Sequence, residues 1–168
     1  PHELYGLIRL SIIPLEHRYR SALRILWRAF RQLPSVVGDI KMQAGSTGAQ
    51  DHFAELLGVE PLHSSFEQSA CQLHIGEQHR NALGGIHGGL IFSLADVAFA
   101  AACNAGTAVY IGLQAEVRYM SKAEGDVLIA TATLMGSSKR IAHYQVLVTD
   151  SRDTRIALFN ASAYRLSE

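Results

Sequence analysis

From Val109 the chain alternates with a period of two. Val109, Ile111, Leu113, Ala115, Val117 and Tyr119 interleave with Tyr110, Gly112, Gln114, Glu116 and Arg118. Such a period sends successive side chains to opposite faces and predicts a strand. Alternation also predicts a strand over 71–75, and three more over 126–135, 141–149 and 155–164. The last three are separated by 136–139 and 150–153, both with turn chemistry of hairpin length. Two helices fit between these elements. One covers 51–57 and is closed by Gly58; the other covers 88–104, is rich in alanine and is closed by Gly106. Residues 76–86 read as a loop. Ahead of all this, 16–33 carries Tyr19, Leu23, Leu26, Trp27, Phe30 and Leu33 at helical spacing, with Arg20, Arg24, Arg28 and Arg31 on other positions. Pro34 ends that helix, and the small residues of 43–50 form a linker. The chain therefore divides into an extension, 1–48, and a domain, 49–168. It does not begin with Met, so we read it as a fragment or a processed product.

The 88–104 helix is apolar on nearly every side, and such a helix cannot lie on a surface. Its longest apolar run, 90–103, is interrupted by Ser93 and Asp96, which is too short and too polar for a membrane span. A helix, a strand, this central helix and then four strands in a meander imply an antiparallel α+β architecture. One curved antiparallel sheet wrapped around one long helix buries the helix most simply, and that arrangement is the hotdog fold. With 168 residues, 48% apolar and 18% charged, the chain is long and apolar enough for one packed core. Fifteen basic side chains balance 15 acidic ones, so no basic field points to nucleic acid. The balance is uneven along the chain: residues 1–50 hold 7 basic and 3 acidic groups, and 51–168 hold 8 and 12. Three uses fit the basic 16–33 segment: docking on the acidic domain or across a dimer, weak contact with an anionic membrane surface, or a targeting leader. We expect docking. Cys71 and Cys103 form no disulfide framework and suit a reduced, cytoplasmic protein.

Candidate chemistry concentrates at the central helix. Apart from Glu116, Asp96 is the only charged side chain between His87 and Arg118. A buried, unpaired carboxylate costs several kcal/mol, so we read Asp96 as a general base or nucleophile at an internal cleft, rather than a residue on a solvated stripe. His87-Gly88-Gly89 opens the same helix. Helix N-termini offer free N–H groups, and glycine lets a carbonyl oxygen approach them, which suits an oxyanion site. A plain glycine turn reads equally well from the triplet alone. Asn81, six residues before His87, is a turn residue or a donor to a carbonyl. His74 and His79 read as a strand-surface residue and a loop residue. The remaining histidines show no metal-ligand spacing, so no metal is expected.

The stretch from Asn81 through Gly84, Gly85, His87-Gly88-Gly89 and Ser93-Leu94-Ala95-Asp96 to Asn104 resembles the signature of the PaaI-like hotdog thioesterases. The likeness covers roughly 51–168, including Val117-Arg118-Tyr119-Met120-Ser121, and leaves 1–50 without a counterpart. It implies hydrolysis of acyl-CoA thioesters, with aromatic or medium-chain acyl groups in view and coenzyme A entering only as part of the substrate. By resemblance Asp96 activates water, the Gly88 N–H with Gly89 nearby holds the thioester oxygen, Asn81 polarises the carbonyl, and His87 supports the loop. The family's site is shared between subunits, which implies a homodimer or a dimer-of-dimers tetramer. Some members carry a water-holding Ser or Thr on the strand after the central helix, at a position that falls near Gly112, which has no hydroxyl. Lys139 and Arg140, at a turn, are candidates for the coenzyme A phosphates, with a solvated turn as the plainer reading. Two other readings stay open. One is a hotdog hydratase or dehydratase on acyl-CoA or acyl carrier protein; the other is a non-catalytic acyl-binding dimer.

Overall fold

The computed structural model describes residues 51–166. The amphipathic helix expected over 16–33 and the linker at 43–50 lie outside them. Asp51 caps α1 (His52–Leu57), its Oδ1 accepting from the N–H groups of Phe53 at 3.1 Å and Ala54 at 2.9 Å. Gly58 closes the helix at φ 73°, in the left-handed region glycine enters without a Cβ clash. Then follow β1 (Val59–Ser64), β2 (Gln68–His74), a 3-10 turn at Glu77–His79 and α2 (Gly88–Cys103). The chain continues through β3 (Tyr110–Tyr119), β4 (Val127–Ser137), β5 (Ile141–Asp150) and β6 (Arg155–Arg165).

One six-stranded antiparallel sheet results, in the order β1-β2-β4-β5-β6-β3, with α2 packed against it. This is the expected hotdog architecture, with two corrections. The meander comprises only β4, β5 and β6; β3 crosses to the far edge and pairs with β6, and β4 pairs with β2. The second is β1, a strand that alternation does not reveal. Pro61 and a bulge between Pro61 and His63 break its pattern, and an edge strand tolerates a proline, which has no N–H to donate to a ladder. Among the described residues, no helix is long and apolar enough to cross a membrane.

Alanines set how closely helix and sheet approach. Ala95, Ala98 and Ala102 of α2 are fully buried, as are Ala130, Ala132, Ala142, Ala157 and Ala163 of the sheet. Rings fill what the small side chains leave: Phe92 meets Phe159 edge-on at 5.2 Å, and Phe99 meets Tyr144 at 5.6 Å. The helix is also bonded to the strands beneath it. Ser64 Oγ donates to the Ala101 carbonyl at 2.7 Å and Ser69 Oγ to that of Ala98 at 2.5 Å. At the other end, Asn104 Oδ1 accepts the Tyr110 N–H at 2.8 Å, fixing how the chain leaves α2 for β3. The helix axis is thus held in place along its length.

One side of this core stays open in the single chain. On α2, Gly89, Asp96 and Ala100 are exposed, with Ser93 and Val97 half-buried. On the β3 edge, Ile111 is 41% exposed and Leu113 is 55% exposed. A bulge between Gly112 and Gln114 shifts the register of β3 against β6. Strict alternation over Val109–Tyr119 therefore does not describe one face: Gly112 pairs with buried Ala163 and Val117 with buried Phe159, while Ile111 pairs with Tyr164.

Candidate active site

The loop before α2 is folded by Asn81. Its Oδ1 accepts the N–H groups of Leu83 at 2.9 Å and Gly85 at 3.1 Å, and its Nδ2 donates weakly to the Ile86 carbonyl at 3.4 Å. The backbone closes the same turn, Asn81 N–H to the Gly85 carbonyl at 2.7 Å. Asn81 is thus a turn residue in this structure, with one Nδ2–H left over for a ligand. His79, expected as an ordinary loop residue, is buried at 5% exposure. Its Nδ1 accepts the Gly76 N–H at 2.9 Å, and its carbonyl takes the His87 N–H at 2.9 Å. It ties the two ends of the loop together. Its Nε2 has no partner among the described residues.

His87 caps α2. Its Nδ1 accepts the Gly89 N–H at 2.9 Å, and its carbonyl accepts from Leu90 at 3.0 Å. In the neutral ring the proton then sits on Nε2. The N–H of Gly89, the residue expected near the thioester oxygen, is used by this cap. The Gly88 N–H has no partner among the described residues, and it lies at the positive end of the helix dipole. Over it lies Tyr119 from the end of β3, whose hydroxyl donates to the Gly88 carbonyl at 2.9 Å.

Asp96 corrects the reading of a buried carboxylate. It faces the open side of α2 and is exposed, and its carboxylate has no hydrogen-bond or ion-pair partner among the described residues. Partial shielding by its surroundings, and then the negative charge of Asp51, push its pKa above the ordinary aspartate value. It lies eight residues beyond Gly88, which is about 12 Å along one helix axis. The two groups therefore do not converge within a single chain.

Lys139 and Arg140 sit at the β4–β5 turn, where Arg140 Nη1 meets Tyr164 Oη at 2.6 Å. That turn is beside the Tyr110 end of β3, whereas Gly88 is beside the Tyr119 end, roughly 30 Å away along the strand. They too stay apart from the helix start in a single chain. The thiols are removed from consideration as nucleophiles: burial pushes both Cys71 and Cys103 up to about 12.

Fold and site together define a hotdog protein with a free amide donor at the start of its central helix. A family model described as "Domain of unknown function (DUF4442)" matches residues 46–162. A putative esterase from Archaeoglobus fulgidus is 34% identical over 119 residues, covering 70% of this chain and 77% of the relative. Acyl-coenzyme A thioesterase PaaI from Escherichia coli is 27% identical over 117 residues, 69% of this chain and 84% of that protein. Its solved structure superposes with a TM-score of 0.67, over 70% of this chain and 86% of that one. A variant structure of the phenylacetic acid degradation protein PaaI from Thermus thermophilus gives 0.64 at 32% identity, over 69% of this chain and 100% of that one. The chain belongs to the PaaI hotdog family, which includes the matched domain family.

Proposed function

We propose that the protein is an acyl-CoA thioesterase, releasing a free acid and coenzyme A. The observation that carries this reading is the Gly88 N–H at the start of α2, paired in chemistry with the carboxylate of Asp96, each without a hydrogen-bond partner among the described residues. In this mechanism Asp96 takes a proton from water as the water oxygen attacks the thioester carbonyl carbon. Negative charge grows on the carbonyl oxygen, where the Gly88 N–H and the spare Nδ2–H of Asn81 receive it. The tetrahedral intermediate collapses, the C–S bond breaks, and the coenzyme A thiolate leaves and is protonated. A relative named as an acyl-coenzyme A thioesterase supports the reaction class.

The same reading makes the site intersubunit. The open stripe of α2, where Val97 and Ala100 flank Asp96, and the β3 edge, where Ile111 and Leu113 are exposed, form the surface that a second copy covers by a two-fold axis. If β3 pairs with its antiparallel copy, the Tyr110 end of one strand meets the Tyr119 end of the other. Lys139 and Arg140 of one protomer then approach the Gly88 of its partner, where coenzyme A phosphates need cations. An obligate homodimer is the minimal active unit, and pairing of dimers gives a tetramer.

One observation favours the non-catalytic acyl-binding alternative. Gly112 faces the Phe99 ring, where an added Cβ would be 3.5 Å from Cε1, and it brings no hydroxyl to hold a water. Free-thiol release from short, medium, long and aryl acyl-CoAs, by wild type and by Asp96→Asn, decides. Turnover in the wild type that collapses in the variant supports hydrolysis. Saturable acyl-CoA binding without thiol release by the wild type refutes it.

A further inference from the structure

We infer that Tyr119 is a positioning residue for the Gly88 donor: its hydroxyl fixes the peptide that follows Gly88, and so aims the free N–H that precedes it. Two glycines in succession open α2, and glycine has more backbone freedom to lose than any other residue. A donor built on such a segment is accurate only if its neighbours are held. The Gly88–Gly89 peptide is held at both poles, its oxygen by the Tyr119 hydroxyl at 2.9 Å and its N–H by the His87 ring at 2.9 Å. The preceding peptide is held by its oxygen, which accepts from Leu90 at 3.0 Å and Ile91 at 3.4 Å. Among the described residues, only the Gly88 N–H of these two peptides is left without a partner.

Tyr119 is itself well anchored. It pairs with Ala157 across β3 and β6, and the next residue, Met120, donates to the Ile156 carbonyl at 2.8 Å. Its ring lies so close over Gly88 that an added Cβ there would be 3.1 Å from Oη and 3.2 Å from Cζ. The side chain remains 54% exposed, so burial of the ring does not account for its placement. The hydroxyl contact does.

The kinetic part of this inference rests on the thioesterase reading. The test uses the full chain with Tyr119→Phe, which keeps the ring and removes the donor. Thiol release should show kcat lower by about fivefold, the worth of one hydrogen bond, with KM changed by less than about twofold. In a Gly88→Ala background, where the new Cβ would lie 3.1 Å from Oη and crowd the hydroxyl by a few tenths of an ångström, the same substitution should lower kcat by less than it does with Gly88 in place. Amide exchange at Gly89, followed by NMR, should be faster in Tyr119→Phe than in wild type. An active wild type whose kcat survives Tyr119→Phe overturns the inference, as does an equal loss in both backgrounds. A wild type that hydrolyses no acyl-CoA refutes the thioesterase reading instead. In that case unchanged Gly89 exchange overturns the positioning role, and faster exchange upholds it.

Discussion

Asp150→Asn tests the most heavily bonded carboxylate among the described residues. Asp150 ends β5 with 2% of its surface exposed. Its Oδ2 accepts the N–H groups of Glu124 at 2.6 Å and Gly125 at 2.9 Å, and its Oδ1 those of Arg152 at 2.9 Å and Thr154 at 2.9 Å. It thereby joins the segment before β4 to the β5–β6 hairpin. Burial alone would raise its pKa; the four donors outweigh burial and hold the carboxyl well below the usual carboxylate range. Asparagine has nearly the same shape but only one acceptor oxygen, so its NH₂ would face two backbone donors and leave them unpaired. Two lost charge-assisted bonds amount to about 3 kcal/mol, and screening by solvent close to this turn reduces that to about 2 kcal/mol. For a domain of this size the melting temperature should fall by about 8 °C. Because the folded pKa is depressed, the contribution is complete above the unfolded value of about 4 and is lost as pH falls from there toward the folded pKa. Urea denaturation of both proteins, at one protein concentration, measures the gap at pH 7 and again near pH 3. The gap should narrow on acidification. A gap below about 0.5 kcal/mol at pH 7, or one that widens in acid, would refute the argument.

Other outcomes follow from the same geometry. Asp96→Asn should keep the fold and substrate binding while kcat drops by about 10² or more in a thiol-release assay, the range of a lost general base. Since its pKa is raised, the acid limb of the wild-type kcat/KM profile should have its midpoint above the ordinary aspartate value of about 3.9, with activity falling as pH drops through it. A midpoint at or below that value contradicts the assignment. Mixing Asp96→Asn subunits with Asn81→Asp subunits, which keep the loop-folding Oδ1 and lose the Nδ2 donor, should restore part of the activity of a shared site. No recovery after proven subunit exchange counts against sharing. Leu113→Lys, on the exposed β3 edge, should shift the protein to monomer in analytical ultracentrifugation and abolish turnover, whereas an intact, active dimer would place the interface elsewhere.

Much is legible in local patterns. Helix propensity and the His87-Gly88-Gly89 opening locate α2 to within a residue, and the period-two runs locate β3, β4, β5 and β6 closely. The turn character of Asn81 and the glycine caps are also readable, because they are settled by a residue and its near neighbours in the chain. Tertiary structure decides the rest. Periodicity reports that a segment is a strand and says nothing of which strand lies beside it, so β3 crosses to β6 without any local mark. Bulges depend on the partner strand as well, and the one beside Leu113 moves Ile111 off the face that alternation assigns it. The sequence neighbours of Asp96 are apolar and suggest burial, but exposure depends on which side of the helix the sheet covers, and that side is opposite. The tie between His79 and His87, the bonds from Glu124 and Gly125 to Asp150 and the Tyr119 contact with Gly88 all join positions whose meeting is a product of folding. Residue type fixes what a group can donate or accept; only the folded chain fixes which groups are left over to act.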